Sequence, residues 1–94
     1  MILVRDVFQA KYGRGDALIA LLKDIPVDFP YTMRIFTDAS GPFFTVVTEY
    51  EVESLAAWER QSPEVFSQPD FGLWFERMIP LVESGRREFY HIVG

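Results

Sequence analysis

Hydrophobic and polar residues alternate along four segments of the chain, and such alternation is typical of β-strands. The segments, rich in β-branched and aromatic residues, span residues 2–10, 31–37, 43–52 and 86–93. The five residues from Asp38 to Pro42 have turn chemistry, so the second and third strands are predicted to form a β-hairpin. The third strand is predicted to be the longest, running from Phe43 to Val52.

Apolar residues recur at helical spacing in two further regions. The first predicted helix has Asp16 or Gly15 as its N-cap. It stops before Pro26, because proline lacks an N–H and restricts the residue that precedes it. The second helical region begins after Ser54, a predicted N-cap, and ends at Ser84-Gly85. Prolines divide it: residues 55–61 form a short helix, residue 69 starts the next, and residue 80 kinks or shortens that one.

The resulting order, β-α-β-β-α-β, predicts an α+β chain with a ferredoxin-like fold. In that fold a four-stranded antiparallel sheet carries its helices on one face. All 94 residues, 1–94, are expected to form one domain, because two cores would each be too small to stand alone.

The composition of the chain indicates that the sheet face without helices is covered as well. Hydrophobic residues make up 49% of the chain and aromatic residues 16%, which is rich for a domain of this size. Both sides of the segment Phe43–Tyr50 carry apolar residues, so a second copy of the chain or a ligand is expected to cover the face that the helices leave bare. A homodimer through the sheet faces is the simplest assembly. The alternative is that the aromatic residues are scattered through one core and its surface.

Charge and cysteine content exclude several classes of protein. A net charge of −5 argues against nucleic-acid binding, which needs a basic surface. With no cysteine and only one histidine, disulfides, iron–sulfur clusters and structural zinc are not expected, and no metal site is predicted. The chain has no apolar run long enough to cross a membrane and no visible signal peptide, so a cytoplasmic location is expected.

His91 is the natural candidate for catalytic acid–base chemistry, because its side chain alone titrates near neutral pH when unperturbed. It shares a strand face with Phe89 and Val93. If that face lines a cavity, His91 would orient a substrate hydroxyl or accept its proton. If the face points to the helices or to the end of a strand, His91 is a structural residue.

Arg5, Arg34, Tyr50 and Tyr90 are the candidate ligand-binding residues. Arginine within a strand needs a carboxylate or a ligand anion, and a tyrosine hydroxyl can donate to a ligand oxygen. The alternatives are an ion pair across the sheet or at the rim of a dimer for the arginines, and simple ring packing for the tyrosines.

Several segments carry a family resemblance: Val4–Phe8 running into Lys11–Asp16, then Thr48–Glu51, Ser54–Glu59 and Arg87–Ile92. In these segments and over its whole length the chain resembles the dimeric α/β-barrel superfamily, and within it the NIPSNAP-like and antibiotic-biosynthesis-monooxygenase-like proteins. The resemblance implies ferredoxin-like protomers that pair sheet against sheet. Because members include monooxygenases, isomerases and proteins without a known role, whether this chain is an enzyme is left open.

The same resemblance limits the cofactors. Relatives that degrade heme use an asparagine near the chain start, with a histidine and a tryptophan on helices, whereas this chain has no asparagine and its histidine lies in the last predicted strand. No cofactor is therefore expected. The predicted function is binding of a small apolar or aromatic metabolite in a cavity, with oxidation or isomerisation that needs no cofactor; the alternative is a non-catalytic structural or regulatory dimer.

Overall fold

A four-stranded antiparallel sheet with strand order β2-β3-β1-β4 forms the base of the molecule. The computed structural model describes all residues, Met1–Gly94. The strands are β1 (Ile2–Ala10), β2 (Arg34–Thr37), β3 (Thr45–Val52) and β4 (Val82–His91); the helices are α1 (Gly15–Lys23), α2 (Leu55–Phe66) and α3 (Pro69–Met78), followed by a 3₁₀ turn at Ile79–Leu81. The predicted α+β ferredoxin-like architecture is confirmed, with the second helical region divided in two.

The helices pack on one face of the sheet, called here the covered face. On β1 this face carries Ile2, Val4, Asp6 and Phe8, and the opposite, open face carries Leu3, Arg5, Val7 and Gln9. Two apolar clusters fill the space under the helices. One joins Leu18, Leu21, Leu22 and Trp74 of α1 and α3 to Ala10 and Val46 of the sheet, and the other joins Ile2, Val4, Tyr50 and Val52 to Trp58 of α2.

The predicted hairpin is present, but both of its strands are shorter than expected. β2 starts at Arg34 instead of Tyr31. β3 starts at Thr45 instead of Phe43, because Phe44 has a left-handed backbone conformation with φ of 60°, which interrupts a strand. The Thr45 amide donates instead to the Asp38 carboxylate at 3.1 Å, which closes the turn.

The predicted break in α2 at Ser62-Pro63 is wrong, because the helix continues through Pro63 to Phe66. Proline lacks the N–H that would bond to the Glu59 carbonyl, but both residues are exposed, so water can bond to that carbonyl.

The predicted cap at Ser54 is confirmed: its hydroxyl accepts from the Ala57 amide at 3.0 Å. Pro69 at the start of α3 is also confirmed. α1 is capped by Arg14, not by the residues predicted, and no side chain bonds to its first turn.

The prediction that Ser84-Gly85 ends a helix is wrong, since both residues lie inside β4 and pair with Gln9 and Phe8. Pro80 shortens α3 as predicted, and the helix gives way to a 3₁₀ turn. The strand then begins at Val82. Gly85 fits beside Phe8, because a Cβ there would meet the Val7 carbonyl at 3.3 Å and the Phe8 ring at 3.4 Å.

The expectation that the open face holds the aromatic excess is wrong. Only Phe36 and Tyr90 of the aromatic residues lie on that face, where they are flanked by charged side chains. The covered face and the helices above it hold most of the rings instead: Phe8, Tyr50, Phe89, Trp58, Phe66, Phe71, Trp74 and Phe75. None of the helices has the length and hydropathy needed to cross a bilayer.

Candidate functional site

A cavity of about 450 Å³ lies between the covered face of the sheet and the helices, which places it within the size range of small-molecule sites. Its apolar lining consists of Phe8, Leu22, Ile25, Phe29, Met33, Val65, Phe66, Phe71, Trp74, Phe75 and Met78. Of these walls, Phe66 and Phe75 are the exposed ones, so they mark where the cavity meets solvent. Four further residues bring polar groups: Asp6, Thr48, Tyr50 and Arg87.

The aromatic residues that α2 and α3 contribute to the walls pack against one another and against α1. Phe71 packs against Phe66 with ring centroids 5.1 Å apart and against Trp74 at 5.6 Å, which joins the end of α2 to the start of α3. The Trp74 indole N–H donates to the Leu21 carbonyl at 2.8 Å in a buried position, which fixes α3 against the end of α1. The aromatic wall is therefore largely formed before any ligand arrives.

Asp6 and Arg87 form the polar feature of this cavity. They are direct neighbours across β1 and β4, and Arg87 donates from Nε and Nη2 to the two carboxylate oxygens at 2.7 and 3.1 Å. The guanidinium lies 5.0 Å from the Trp58 ring and 5.9 Å from the Phe66 ring, a cation–π arrangement. The hydrogen bond to Asp6 raises the pKa of Arg87, although burial opposes it. Nη1 takes part in no hydrogen bond within the chain, so Arg87 keeps donors for a ligand.

Tyr50 supplies a second donor. Its hydroxyl oxygen accepts from the Trp58 indole N–H at 2.9 Å, and its own proton is used in no hydrogen bond within the chain. Burial raises the pKa of Tyr50, because a phenolate would lose its hydration there. Tyr50 therefore stays protonated at neutral pH and can donate to a ligand oxygen. Thr48, beside Asp6 on β3, places another hydroxyl at the same end of the cavity.

Tyr31 supports Tyr50 from outside the cavity. The two rings stack with centroids 5.1 Å apart and planes 18° from parallel. The Tyr31 hydroxyl is buried without a partner, and burial raises its pKa as well. Tyr31 thus orients Tyr50 through ring contact.

The structure does not bring the five residues singled out from the sequence together. Tyr50 alone lines the cavity. His91 pairs with Ile2 at the end of β4, on the covered face but exposed and outside the cavity lining. Arg5, Arg34 and Tyr90 lie on the open face.

On the open face, Arg5 lies between two glutamates. Its guanidinium is 3.9 Å from the Glu49 carboxylate and 3.7 Å from that of Glu88, so the predicted alternative of an ion pair across the sheet holds for Arg5. Arg86 donates to Glu88 at 3.0 Å, and this hydrogen bond lowers the pKa of the Glu88 carboxyl. The depression beside Arg5 and Arg34 is larger than the cavity, about 590 Å³, but only 3 of its 11 lining residues are hydrophobic, so it is the weaker candidate for a ligand site.

Sequence reasoning did not single out Asp6, Thr48 or Arg87 as a site. A signal for Asp6 existed: side chains alternate between the two faces of a strand, so the Asp6 carboxylate shares a face with the apolar residues Val4 and Phe8. A buried carboxylate needs a cation, and only the strand pairing shows that Arg87 supplies it.

No three histidine, aspartate or glutamate side chains come together in the structure. The chemistry of the cavity is that of an apolar pocket with hydrogen-bond donors at one end. The fold and the site thus define an α+β domain of ferredoxin-like fold with an apolar pocket between its sheet and its helices.

Solved structures share this fold over nearly the whole chain. An uncharacterised NIPSNAP domain protein from Burkholderia xenovorans is similar with a TM-score of 0.89 and 15% identity, over 99% of this chain and 95% of that one. A NIPSNAP family protein from Agrobacterium tumefaciens has a TM-score of 0.85 and 14% identity, over 98% of this chain and 92% of that one. A protein from Chloroflexus aurantiacus proposed to be an antibiotic biosynthesis monooxygenase has a TM-score of 0.75 and 20% identity, over 99% and 93%.

These likenesses establish that the chain has the ferredoxin-like fold of NIPSNAP domain and antibiotic-biosynthesis-monooxygenase-like proteins. No protein-family model matches the chain. No curated protein matches it either.

Proposed function

We propose that this protein is a homodimer in which each protomer binds a small, largely apolar aromatic molecule in the cavity between its helices and its sheet. The observation that carries the proposal is the 450 Å³ cavity itself, in which 12 of 15 lining residues are hydrophobic and the polar groups gather on the sheet side. Apolar walls supply affinity by excluding water, and a few placed polar groups fix the orientation of the ligand.

The polar groups indicate which atoms the ligand carries. Tyr50 and Arg87 have unused donors, whereas the two oxygens of Asp6 already accept from Arg87. The ligand therefore needs an oxygen acceptor such as a phenol or a carbonyl, and a developing negative charge on that oxygen is stabilised by Arg87. We infer a planar phenolic or carbonyl compound whose ring packs among Phe71, Trp74 and Phe75.

Two observations support the homodimer. The chain exposes 6273 Å², whereas a monomer of this mass exposes about 5,600 Å²; the difference of about 700 Å² is close to one side of a standard interface. The molecule is also flattened, with extents of 36 × 35 × 18 Å, and the thin direction is consistent with one layer of helices on one sheet. Pairing two open faces would double the thin dimension and give a nearly isotropic particle.

Binding of 1-naphthol, a planar phenol, tests the ligand proposal by isothermal titration calorimetry. The wild type should bind with micromolar affinity. Ile25→Trp, which puts a large ring into the cavity from a half-buried wall position, should weaken binding by at least about tenfold, equivalent to 1.4 kcal/mol. Leu73→Trp is the matched control, because Leu73 is exposed on α3 outside the cavity, and it should bind as the wild type does. Equal weakening in both variants, or no binding to the wild type, would contradict the proposal.

Turnover of the bound molecule is the second part of the proposal. Similarity to a protein proposed to be an antibiotic biosynthesis monooxygenase suggests an oxidation, and we propose that this oxidation proceeds without a cofactor. The balanced reaction for 1-naphthol consumes one O₂ and yields 1,4-naphthoquinone and one water, so the substrate supplies the electrons. The protein would bind the phenol, stabilise its phenolate through Arg87 and exclude bulk water. Quinone absorbance and oxygen uptake measure this turnover; Tyr50→Phe should slow it, and His91→Gln, outside the cavity, should not.

One observation favours the alternative of a non-catalytic dimer. Asp6 is the only carboxylate in the cavity lining, and both of its oxygens are occupied by Arg87, so no base in the cavity is free to remove a proton. Naphthol that binds but is not oxidised would therefore support a binding or regulatory role.

A further inference from the structure

One wall of the cavity is a segment without regular secondary structure. This segment, residues 25–33, lies between α1 and β2 and is called here the strap. It contributes Ile25, Phe29 and Met33 to the cavity lining, whereas every other lining residue lies in a helix or a strand. Helices and strands open as cooperative units, whereas a segment with few hydrogen bonds opens at a small cost in free energy. The strap is therefore the wall that moves most easily.

The strap is extended and rests on the protein through every second side chain. Its odd-numbered residues, from Ile25 to Met33, are half-buried, and the even-numbered residues between them are exposed. None of the nine residues is fully buried. An extended segment within a sheet is fixed by a ladder of backbone hydrogen bonds, but the strap pairs with no strand. Apolar contacts along one side of the segment thus do most of the work of holding it in place.

A single side chain ties the strap to the helices. The side-chain amide of Gln68, at the start of α3, accepts from the Asp28 N–H at 3.0 Å and donates to the Asp28 carbonyl at 3.2 Å. These are the only two hydrogen bonds that residues 25–33 make. Both are exposed, so water replaces them readily when they break. Gln68 is called here the latch.

The contact between the strap and α2 is incompletely packed. A groove of about 380 Å³ runs beside it, lined by Asp28, Phe29, Pro30, Gln61, Glu64, Val65 and Gln68. Two polar atoms at this contact are buried without a partner, the side-chain oxygen of Gln61 and the hydroxyl of Tyr31. Burial of an unpaired polar atom is costly, and opening of the strap would expose both atoms to water. The closed position of the strap is therefore only weakly favoured.

Two side chains separate this groove from the cavity. Phe29 of the strap and Val65 of α2 line both spaces. Phe29 also packs edge-on against Tyr50, with ring centroids 4.9 Å apart. Movement of the strap would thus open a passage from the groove into the cavity, and its return would place Phe29 back against the donor Tyr50.

We propose that the strap is the gate of the cavity: it opens at the latch, Phe29 moves away from Val65, and a small aromatic molecule enters along the groove before the strap closes over it. This inference rests on the proposed function and adds the route by which the ligand reaches that site. The latch contacts only the strap and not the ligand, so it favours the closed position equally in the empty and the occupied protein. Its loss should therefore speed entry and exit by the same factor and leave the dissociation constant nearly unchanged.

Stopped-flow fluorescence of 1-naphthol measures the association and dissociation rate constants. Gln68→Ala should raise both at least about fivefold, with the dissociation constant within about twofold of that of the wild type. Gln9→Ala is the matched control, because the Gln9 amide also holds a loop carbonyl, that of Phe43 at 2.6 Å, but lies outside the cavity lining. Its rates should equal those of the wild type. A Gln68→Ala variant in which only the dissociation rate rises would overturn the gate, because Gln68 would then stabilise the complex and not the closed strap.

A reversible lock on the strap gives an independent test. The chain contains no cysteine of its own, so Asp28→Cys/Gln68→Cys can be bridged by a short bis-methanethiosulfonate and released by reduction. Naphthol loaded before bridging should leave at least about tenfold more slowly than from the unbridged double variant, and reduction should restore the faster rate.

The outcomes separate the gate from the proposed function. Exit that the bridge leaves unchanged would mean that naphthol passes between the exposed Phe66 and Phe75 with the strap in place, which would overturn the gate alone. A wild type that binds no naphthol would overturn the proposed function, and the gate with it.

Discussion

At the scale of single residues, the account depends on how a charged pair is stabilised inside an apolar cavity. Asp6 is nearly buried, and Arg87 satisfies both of its oxygens while stacking on the Trp58 ring. Removing one partner leaves the other charge without compensation, whereas removing both leaves an apolar surface. The pair therefore contributes hydrogen-bond donors to the proposed ligand site more than it contributes net stability to the fold.

This argument predicts a non-additive double-mutant cycle. Arg87→Met should lower the free energy of unfolding by about 2 kcal/mol, less than for a fully buried pair because Arg87 is partly exposed. Asp6→Leu combined with Arg87→Met should recover most of that loss. Urea denaturation followed by circular dichroism measures the free energy of unfolding of the single and the double variant. Losses that simply add would mean that the two side chains act independently.

Tyr50 predicts a specific dependence of stability on pH. Its pKa is raised in the folded protein by burial, so between the unfolded tyrosine pKa near 10 and the higher folded pKa the folded state binds more protons. Stability is therefore full below about pH 10 and is lost as the pH rises through the folded pKa. Denaturation series at several alkaline pH values should show a steeper loss for the wild type than for Tyr50→Phe. Tyr12→Phe, at an exposed tyrosine, should follow the wild type; parallel curves for all three would exclude this role for Tyr50.

Single-sequence reasoning identified Tyr50 but not its partners in the site, for a physical reason. Side chains two residues apart along a strand point to the same face, so Asp6 shares a face with Val4 and Phe8. This alternation does not tell which face the helices cover or which residue of β4 lies beside Asp6. Arg87 reaches the site through a register between residues 81 positions apart, which no local pattern contains.

At the scale of elements, the order of strands and helices was predictable because hydrophobic periodicity reports it. The residues at which the helices and strands begin and end were harder to predict. Pro63 and Gly85 are both local signals for the end of an element, but the structure continues through both. Pro63 lies on the exposed side of α2, where a helix tolerates the missing N–H. Gly85 lies within a strand, and the Phe8 ring occupies the space beside it.

Gly85 provides the prediction at this scale. In Gly85→Val, the side chain would meet the Val7 carbonyl and the Phe8 ring at distances where the neighbours must move. Despite the high strand propensity of valine, we expect a loss of about 1 to 3 kcal/mol in the free energy of unfolding, as for other overpacked sites. Ser84→Val, one residue away on the open face, should be neutral or slightly stabilising. A stabilised Gly85→Val would show that Phe8 does not need the space.

At the scale of the whole molecule, the aromatic residues lie on a different face of the sheet from the one that the sequence suggested. The rings do not cover the open face; they line the cavity and fix the helices above it. The open face carries paired charges around a small apolar centre instead. Under the proposed function, a ligand would bind on the covered face and a second copy of the chain on the open face.

The most direct test of the central claim is the position of the bound aromatic molecule, measured by intermolecular nuclear Overhauser effects in solution. Protons of bound 1-naphthol should give contacts to the methyl groups of Ile25, Val65 and Met78, which line the cavity. Contacts to Val7 and Val47 on the open face, with none to the cavity methyls, would contradict the account.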